Sequence, residues 1–460
     1  MPSPIPSGEP LTEPLSARPL AAPLRPSACP GLLRIVPALD GGICRIKLPG
    51  GVISAEQAQA VADAAERFAG GVIEATNRAN LQIRGIGTDA DSLIAMLLDA
   101  GLGPSNAASD DVRNLMLSPM AGVDPQQVLD VRPLGARILQ SLENHPRLHE
   151  LSPKFALSLD GGEGLAMLEH SHDLWMSALV IGGQTLIGFG LAGCPASHSP
   201  LAAVTLDTAH EMVIAVLELF LDQARPDQVR MRDLLKDIGP SRFIELLAAR
   251  LPQPLDTDPR ITGWQRPPAQ TNAHIGVQPQ LQPGLTSVGG VVPLGRLTPS
   301  MLRSTAKLSV ELSDGTLAMT PWQSVMLRNV PAHQSGSALD GLRAAGLSCE
   351  ADEPLSKLIA CTGSAACAKG LADTKADALK LAALLQSNGV SQAIHLSGCT
   401  RSCAAAHVAP VTLLAVSDGR YDLYFRHADR PGFGQLRERD LTIEAVGALL
   451  IADSRSSTDD

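Results

Sequence analysis

The amino-acid sequence predicts a pseudo-symmetric protein of mixed structure, α+β or α/β, built from two similar halves. Residues 81–86 (LQIRGI) resemble 325–330 (VMLRNV) at an offset of 244, and 100–102 (AGL) recur at 345–347 at an offset of 245. Two matches at nearly one offset indicate an internal duplication. A Pro- and Gln-rich stretch without periodicity, 252–285, separates the halves and is typical of a connector.

The first half contains three strand-like and two helical segments. Alternation of apolar and polar side chains indicates strands, whereas a period near 3.6 residues indicates helices. Ser54 is a favourable N-cap for the first helix, and Gly70 and Gly71 are favourable residues to end it. In chain order the segments are a strand at 43–48, a helix at 56–68, strands at 72–75 and 81–84, and a helix at 91–99.

The second half follows the same scheme. We predict a short helix over 300–306 and an alternating strand over 307–312 (KLSVEL). The strand–helix–strand–strand–helix order predicts one small split-βαβ module per half. Residues 175–193 contain no charged side chain, but Gly182 and Gly183 interrupt them. They therefore predict two buried strands around a tight turn rather than a membrane span.

Length and composition narrow the possible functions. A chain of 460 residues is long enough for two or more domains, and 45% apolar with 18% charged residues is typical of a packed globular protein. A formal charge of −10 without a Lys/Arg-rich run disfavours nucleic-acid binding. The Pro-rich residues 1–30 lack the basic start and apolar core of a signal peptide. We therefore expect a disordered tail on a cytoplasmic protein without membrane attachment.

Four of the eight cysteines fall close together, as Cys361-x5-Cys367 and Cys399-x3-Cys403. A [4Fe–4S] cluster needs four thiolates at the corners of a tetrahedron, and two short spacings on separate loops suit it. The small residues around them let the backbone approach the cluster, and residues 373–386 predict an amphipathic helix between the two loops. A structural zinc site and unliganded thiols are the alternatives, although zinc sites more often use shorter gaps.

The cysteine pattern resembles the cluster motif of the nitrite and sulfite reductase superfamily, in which Gly precedes the third Cys. Residues 76–85 (TNRANLQIRG), 111–114 (DVRN) and 152–155 (SPKF) resemble three further motifs of that superfamily. The resemblance implies the nitrite/sulfite reductase-like fold, with pseudo-twofold duplication and ferredoxin-like half-domains. On this basis we divide the chain into a disordered tail (1–30), a first ferredoxin-like half-domain (31–105), a first reductase-like α/β domain (106–251), a linker (252–285), a second ferredoxin-like half-domain (286–345) and an iron–sulfur-binding α/β domain (346–460).

Residues 153–162 (PKFALSLDGG) resemble the precorrin-3B synthases of aerobic cobalamin biosynthesis, which belong to the same superfamily and have about this length. A sulfite reductase carries a second Lys two residues after the first, whereas this chain has Ala156. The resemblance implies an O2-dependent monooxygenase that hydroxylates precorrin-3A and closes a γ-lactone to give precorrin-3B. It also implies a [4Fe–4S] cluster, a mononuclear non-haem iron and NADH as the ultimate electron source, without siroheme.

In that case the tetrapyrrole is the substrate and occupies the cavity where the related reductases keep siroheme. Its carboxylates suit the planar fork of Arg and the ammonium group of Lys. A solvated surface charge or a salt bridge is the alternative for each basic residue. The candidate substrate-binding residues are Arg78, Arg84, Arg113, Lys154, Arg328 and Arg401.

Two further patterns are less specific. Residues 188–193 (GFGLAG) match G-x-G-x-x-G, but loop residues rather than a helix follow them, so we expect electrons from a separate donor protein. His170, His172 and Asp173 are the densest group of possible iron ligands, with turn or surface histidines as the alternative. Other possible functions are a siroheme-dependent nitrite or sulfite reductase and an iron–sulfur electron-transfer protein. The last is disfavoured because a carrier needs no anion-binding motifs.

Overall fold

The computed structural model describes residues 29–386, 392–427, 430 and 432–456, so the tail predicted at 1–30 lies almost wholly outside the described residues. The described residues form four five-stranded sheets with helices packed against them. Two sheets belong to the duplicated half-domains, and each of the other two belongs to the domain that follows a half-domain. The predicted pseudo-symmetric α+β architecture is confirmed.

The first half-domain has the predicted strand–helix–strand–strand–helix order with two additional short strands. Ser54 begins its first helix with a capping box: Ser54 Oγ accepts from the Gln57 N–H (3.1 Å), and Gln57 Oε1 accepts from the Ser54 N–H (3.2 Å). The elements are β1 (Val36–Ala38), β2 (Gly41–Ile46), β3 (Val52–Ser54), α1 (Ala55–Phe68), β4 (Val72–Ala75), β5 (Leu81–Ile86) and α2 (Ala90–Asp99).

The second sheet belongs to the domain that follows. Its elements are β6 (Leu115–Leu117), α3 (Arg132–Asn144), β7 (Leu157–Asp160), β8 (His172–Ile181), β9 (Gln184–Gly193), β10 (Ala202–Thr205), α4 (Leu206–Gln223), α5 (Met231–Ala248) and α6 (Pro259–Thr262). β8 and β9 are the two strands predicted within 175–193, and Gly182 and Gly183 form the turn between them with φ of 59° and 81°. Among the described residues, no helix has the length and apolar character needed to cross a membrane.

The second half-domain and the last domain complete the chain. The half-domain contains β11 (Gly276–Pro279), β12 (Leu285–Val291), β13 (Arg296–Leu297), α7 (Pro299–Leu312), β14 (Thr316–Met319), β15 (Ser324–Pro331) and α8 (Ser335–Ala344). The last domain contains α9 (Pro354–Lys357), β16 (Leu358–Ala360), α10 (Thr374–Leu385), β17 (Ile394–Ser397), β18 (Val411–Ser417), β19 (Arg420–Phe425), β20 (Gln435–Leu441) and α11 (Ile443–Ser456). Its sheet repeats the order of the second sheet, with three parallel strands (β16–β18, like β6–β8) followed by two antiparallel ones.

The two half-domains exchange an edge strand. β3 of the first half-domain pairs antiparallel with β14 of the second, and β13 of the second pairs antiparallel with β4 of the first. Each five-stranded sheet therefore contains one strand from the other half. A single hydrophobic core runs through both half-domains and includes Ile53, Leu297 and Leu317.

The duplication extends to individual backbone conformations. Residues in the left-handed region recur at the offset of 244. Several of them are residues other than Gly, and this backbone conformation is unfavourable for such residues. The pairs are Gly50 and Leu294 (φ 60° and 52°), Gly71 and Gly315 (69° and 77°), Ala79 and Gln323 (56° and 58°), and Gly85 and Asn329 (75° and 57°). The duplication inferred from two short sequence matches is thus confirmed across the half-domain.

Two sequence-based expectations for the second half differ from the structure. Residues 307–312 are the C-terminal part of α7 and not a strand, because Leu302, Thr305, Ala306 and Ser309 form one buried helical face. The segment 252–285, predicted to be an unpatterned connector, contains α6 and the edge strand β11. Pro279 ends β11, and the position of this strand at the sheet edge allows a residue without an N–H.

Candidate functional site

The four clustered cysteines lie at one edge of the last sheet. Cys361 directly follows β16, and Cys399 follows β17 after one intervening residue. Because β16 and β17 are parallel neighbours, their carboxyl ends meet at the same edge and bring the two cysteine loops together. Between the loops the chain forms α10, as predicted, and the Asp373 side chain caps it by accepting from the Ala376 N–H (3.2 Å).

Three glycines let the two cysteine loops approach each other. A Cβ atom at Gly370 would lie 2.4 Å from the carbonyl carbon of Gly363, and one at Gly398 would lie 3.3 Å from the Cα atoms of both Gly363 and Gly370. The Gly398 N–H is directed at the Cys361 sulfur, 3.2 Å away. Closely packed backbone with an N–H aimed at a ligand sulfur suits an iron–sulfur cluster.

The four sulfurs are near enough to interact electrostatically. Burial raises the pKa of the Cys403 thiol, and Cys399, Cys361 and Cys367 raise it further. Within the described ranges, no three His, Cys, Asp or Glu side chains are arranged to hold a metal ion. A zinc ion would need all its thiolates at about 2.3 Å from one point, whereas each thiolate of a cubane binds a different iron. A cluster therefore requires less convergence of the four sulfurs than zinc does, and the four cysteines stay its predicted ligands.

A group of buried or half-buried basic side chains lies beside the cysteines, and we call it the cationic cluster: Arg45, Lys47, Arg78, Arg113 and Arg230. Burial lowers the pKa of Arg78 to about 10, with Arg230 and Arg45 acting in the same direction. Burial also lowers the pKa of Lys47 to about 7, and Arg113 and Arg45 contribute to this shift. Arg45 in turn interacts with Cys403. The five basic groups and one cysteine therefore share an electrostatic environment.

The matched sequence motifs place two members of the cationic cluster. Thr76 Oγ1 accepts from the N–H groups of Arg78 (3.3 Å) and Asn80 (3.0 Å), which closes the turn between β4 and β5 around Arg78. Arg113 Nη1 lies 3.3 Å from Glu143 Oε1. Its Nε and Nη2 are buried and have no partner among the described residues. A guanidinium with unused donors is suited to bind an anion.

Lys154 lies next to the Arg113 motif, and its backbone N–H donates to Ser152 Oγ (3.2 Å). Asn114 Nδ2 donates to the carbonyl oxygens of Pro153 and Phe155, both at 3.1 Å, so the motifs at 111–114 and 152–155 lie side by side. Lys154 is exposed between these two anchored residues. Its ammonium group has no partner in the part of the chain that the structure describes, and it is free to meet a bound anion.

Arg230 was missed by the sequence analysis. Its Nε lies 3.0 Å from both carboxylate oxygens of Asp173, which is only 2% exposed, and Asp173 also accepts from the Ala156 N–H (2.9 Å). Arg230 is thereby held beside Ala156, the position at which sulfite reductases carry their second Lys by the resemblance described above. No local motif indicates this role, because Asp173 and Arg230 are far apart in the chain.

Besides Lys154, three other predicted substrate-binding residues lie outside the cationic cluster. Arg84 pairs with Asp40 (2.9 and 3.0 Å) and donates to the Ala366 carbonyl oxygen (3.2 Å), so it supports the first cysteine loop. Arg328 has the equivalent position in the second half-domain, away from the cysteines, and its Nε is without a partner among the described residues. Arg401 is exposed on the second cysteine loop.

The histidines near the site are buried and not at the surface. His170 and His172 are each 2% exposed, and the His170 ring centroid lies 5.2 Å from that of His407. Asp173 is occupied by Arg230 and by backbone N–H groups. The two histidines are therefore not at the surface, although His170 lies in a bend just before β8, and the possible iron site at His170, His172 and Asp173 stays a hypothesis.

The GFGLAG segment lies within β9, and no helix follows it. A Cβ atom at Gly190 would lie 2.4 Å from the Trp175 indole ring, which packs against it from β8. These glycines are explained by sheet packing and not by nucleotide binding.

Comparison with known proteins identifies the family. The Nitrite/Sulfite reductase ferredoxin-like half domain matches residues 37–100 and 278–345, and the Nitrite and sulphite reductase 4Fe-4S domain matches 108–255. The chloroplastic ferredoxin–nitrite reductase of Zea mays is 31% identical over 412 residues, which cover 82% of this chain and 70% of that protein. Sulfite reductase [ferredoxin] 2 of Mycolicibacterium paratuberculosis is 28% identical over 442 residues, covering 88% and 77%. The structure of the Mycobacterium tuberculosis NirA protein superimposes with a TM-score of 0.76 at 23% identity, covering 90% of this chain and 80% of that one.

The fold and these matches define an oxidoreductase with a 4Fe-4S domain and two ferredoxin-like half-domains. The chain belongs to the nitrite and sulfite reductase family. The matched 4Fe-4S segment, 108–255, is the domain of the second sheet, whereas the four cysteines lie in the last domain, whose sheet has the same strand order.

The prediction of a precorrin-3B synthase is contradicted, because these relatives are nitrite and sulfite reductases. The O2-dependent hydroxylation, the precorrin substrate and the place in cobalamin biosynthesis all depended on that prediction and are overturned with it. The short run 153–162 distinguishes subgroups poorly, because it describes one loop of the site and not the bound molecule.

Proposed function

We propose that this protein is a siroheme- and [4Fe–4S]-dependent reductase of a small oxyanion, with nitrite as its preferred substrate. The main support is the cationic cluster, in which five basic groups are linked by their mutual electrostatic interactions and one of them, Arg45, interacts with Cys403. Such close and buried charges need an anionic partner to offset their repulsion and desolvation. A polycarboxylate tetrapyrrole that carries an anionic substrate has this property.

Cys361, Cys367, Cys399 and Cys403 are the proposed ligands of the cluster. By resemblance to the family motif, Cys403 would be the ligand that holds the cluster and siroheme together. When bound, the two groups would supply the electrons for the reduction. The cradle formed by the glycines of the two cysteine loops fits the cluster, since side chains there would fill the space between the loops.

The basic side chains have separable roles in this proposal. Arg113, with two unused donor atoms, and Arg78 bind and orient the substrate anion. Arg45, between the cysteines and the other cations, neutralises a tetrapyrrole carboxylate. Lys47 has a pKa of about 7, so it exchanges a proton near neutral pH and is suited to supply one to a substrate that is being reduced.

Nitrite is favoured over sulfite because one cation is missing at position 156. Ala156 is 1% exposed and offers no charge. Arg230 lies nearby, but both oxygens of Asp173 hold its Nε and offset part of its charge. A monoanion such as nitrite requires fewer converging charges than the dianion sulfite. Nitrite also appears in the name of the Zea mays relative.

A separate iron–sulfur protein is the proposed electron donor. The names of the relatives specify ferredoxin, and the G-x-G-x-x-G segment of this chain lies inside β9, so it does not form a nucleotide site. Lys369 and Arg401 are exposed on the two cysteine loops. A small acidic donor can approach the cluster closely at this face.

The test uses protein purified and reconstituted without oxygen. We expect siroheme absorption bands, extraction of one tetrapyrrole per chain, and nitrite consumption driven by reduced methyl viologen with a higher kcat/KM than for sulfite. A chain that takes up a cluster but never siroheme, or that prefers sulfite, would contradict the proposal.

Two cysteine variants provide a matched comparison. Cys403→Ser should abolish siroheme binding and nitrite reduction, because it removes the shared ligand. Cys349→Ser should retain both, since Cys349 is buried in the half-domain core, away from the cysteine loops. Equal loss in both variants would indicate general misfolding and would remove the support for Cys403.

A further inference from the structure

Glu74 is a buried carboxylate at the junction of three structural units. It lies on β4, is 9% exposed, and is surrounded by Arg84 Nη1 at 3.9 Å, Arg296 Nη2 at 3.6 Å and Lys375 Nζ at 3.5 Å. Arg84 comes from the same half-domain, Arg296 from the second half-domain and Lys375 from the last domain. One negative charge thus connects cations from three parts of the fold.

The carboxylate is ionised in this environment. Burial alone would raise the pKa of Glu74, but Lys375, Arg84 and Arg296 together lower it below its ordinary value. A buried charge is costly unless it is paired. Three nearby cations provide that pairing, and removing the carboxylate would leave the cations without their shared counter-ion.

The contacts of Glu74 lead directly to the first cysteine loop. Thr362, the residue after Cys361, donates from Oγ1 to Glu74 Oε1 (3.3 Å). Arg84 donates to the carbonyl oxygen of Ala366, the residue before Cys367 (3.2 Å). The loop is therefore held at both ends by groups that Glu74 contacts.

Lys375 provides a second connection to the same loop. Its neighbour Thr374 donates from Oγ1 to the Cys361 carbonyl oxygen (2.7 Å) and lies 3.5 Å from the Cys361 sulfur. Lys375 Nζ also donates to the Leu294 carbonyl oxygen (2.5 Å), which fixes the start of α10 against the second half-domain. The positive charge of Lys375 and the negative charge of Glu74 both lie within the immediate surroundings of Cys361.

The duplication supplies an internal comparison. At the offset of 244, β4 corresponds to β14 and Glu74 corresponds to Ala318, whereas Arg84 corresponds to Arg328. The second half-domain forms the same sheet with Ala at this position, so the half-domain fold does not require the carboxylate. Glu74 is present only in the copy that faces the cysteine loops.

We propose that Glu74 is a positioning residue that holds the Cys361–Cys367 loop and sets the reduction potential of the cluster through its charge. This inference depends on the proposed placement of the cluster on the four cysteines. A negative charge near the cluster stabilises the more oxidised state and lowers the potential, and a positive charge has the opposite effect.

The test is a redox titration of the reconstituted full-length chain, followed by the electron paramagnetic resonance signal of the reduced cluster. We expect Glu74→Gln to shift the midpoint potential to a more positive value and Lys375→Met to shift it to a more negative value. The double variant should return most of the way towards the wild type, because the two lost charges compensate. Glu66→Gln is the control: this carboxylate lies on α1 and is 61% exposed, so its variant should shift the potential least.

Shifts in the same direction, or a Glu74→Gln shift no larger than the control, would overturn the proposal. If Glu74→Gln does not retain a cluster, the Glu74→Asp variant, which keeps the charge, is titrated in its place. A loaded Glu74→Asp variant with a near wild-type potential supports the proposal, and loss of the cluster from both variants overturns the role in setting the potential. A wrong cluster placement would be recognised separately, since the wild-type chain would then give no cluster signal.

Discussion

Replacing Lys47 with methionine is expected to stabilise the cofactor-free protein at neutral and acidic pH, with little effect at alkaline pH. Lys47 is 6% exposed, and its Nζ donates to the Asp110 carbonyl oxygen. Burial is the main reason that the pKa of this ammonium falls from 10.5 to about 7. Methionine has a similar length and no charge, so it occupies the site without the desolvation cost.

The size of the effect follows from the two pKa values. Between pH 7 and 10.5 the unfolded chain retains a proton on Lys47 that the folded chain has released. The free energy of unfolding therefore rises with pH across this window. Each pKa unit corresponds to about 1.4 kcal/mol, so Lys47 costs the folded state about 5 kcal/mol at pH 6 and almost nothing at pH 11.

The assay is chemical unfolding of the wild type and the variant at several pH values, followed by the fluorescence of the tryptophans, which include the buried Trp175. The stability difference should be largest below pH 7 and should shrink steadily towards pH 10.5. Lys307→Met is the control, because the Lys307 side chain is 75% exposed. A difference that does not change with pH, or a Lys47→Met protein that is less stable at pH 6, would refute the reasoning.

Three further predictions concern other residues. Arg113→Ala should raise KM for nitrite about tenfold or more with a smaller change in kcat, whereas Arg343→Ala, at the surface, should change neither in steady-state kinetics. Arg328→Met should increase the free energy of unfolding by on the order of 1 kcal/mol, because Arg328 is 9% exposed and pairs with no carboxylate in the described part of the chain; lower stability in denaturant titrations would contradict this. Gly370→Ala should lower the iron content per chain, since its Cβ would lie 2.4 Å from the Gly363 carbonyl carbon, while Gly336→Ala, with nothing within 4 Å, should load normally. Equal iron content in the two Gly variants would show that the glycine cradle is not required.

The cysteines were predictable because their arrangement is local. Cys361 and Cys399 follow adjacent parallel strands, so the spacing of ligands within each loop and the order of the elements are sufficient to bring them together. Small residues in the loops are also a sequence signal. The same reasoning identified the helix between the loops, since Asp373 is a recognisable cap.

Only two of the five members of the cationic cluster were predictable. Arg78 and Arg113 lie in recognisable motifs, but Arg45 and Lys47 lie on β2 or directly after it and look like the solvated face of an edge strand. Their true surroundings come from the packing of the second domain on the half-domain, which no local pattern reports. Arg230 depends on a partner, Asp173, that is distant in sequence.

The error at 307–312 has a definite physical cause. The segment KLSVEL alternates in polarity, but the buried face of α7 includes Thr305 and Ser309, which are polar, and Val310 is 64% exposed. The hydropathy pattern of this segment therefore does not show the period of 3.6 residues that indicates a helix. The duplication predicts the correct structure, because the offset of 244 makes residues 307–312 equivalent to residues 63–68 of α1, which was correctly predicted to be a helix.

The exchange of β3 and β13 between the half-domains has a consequence for the origin of the chain. Two identical copies of one ancestral module, each lending its edge strand to the other, would form an obligate homodimer with a twofold axis. Such a dimer would present two equivalent sites, one on each side of the axis. Gene fusion through the 252–285 segment would then free one site from selection, and the pair Glu74 and Ala318 shows how far the two sides have since diverged.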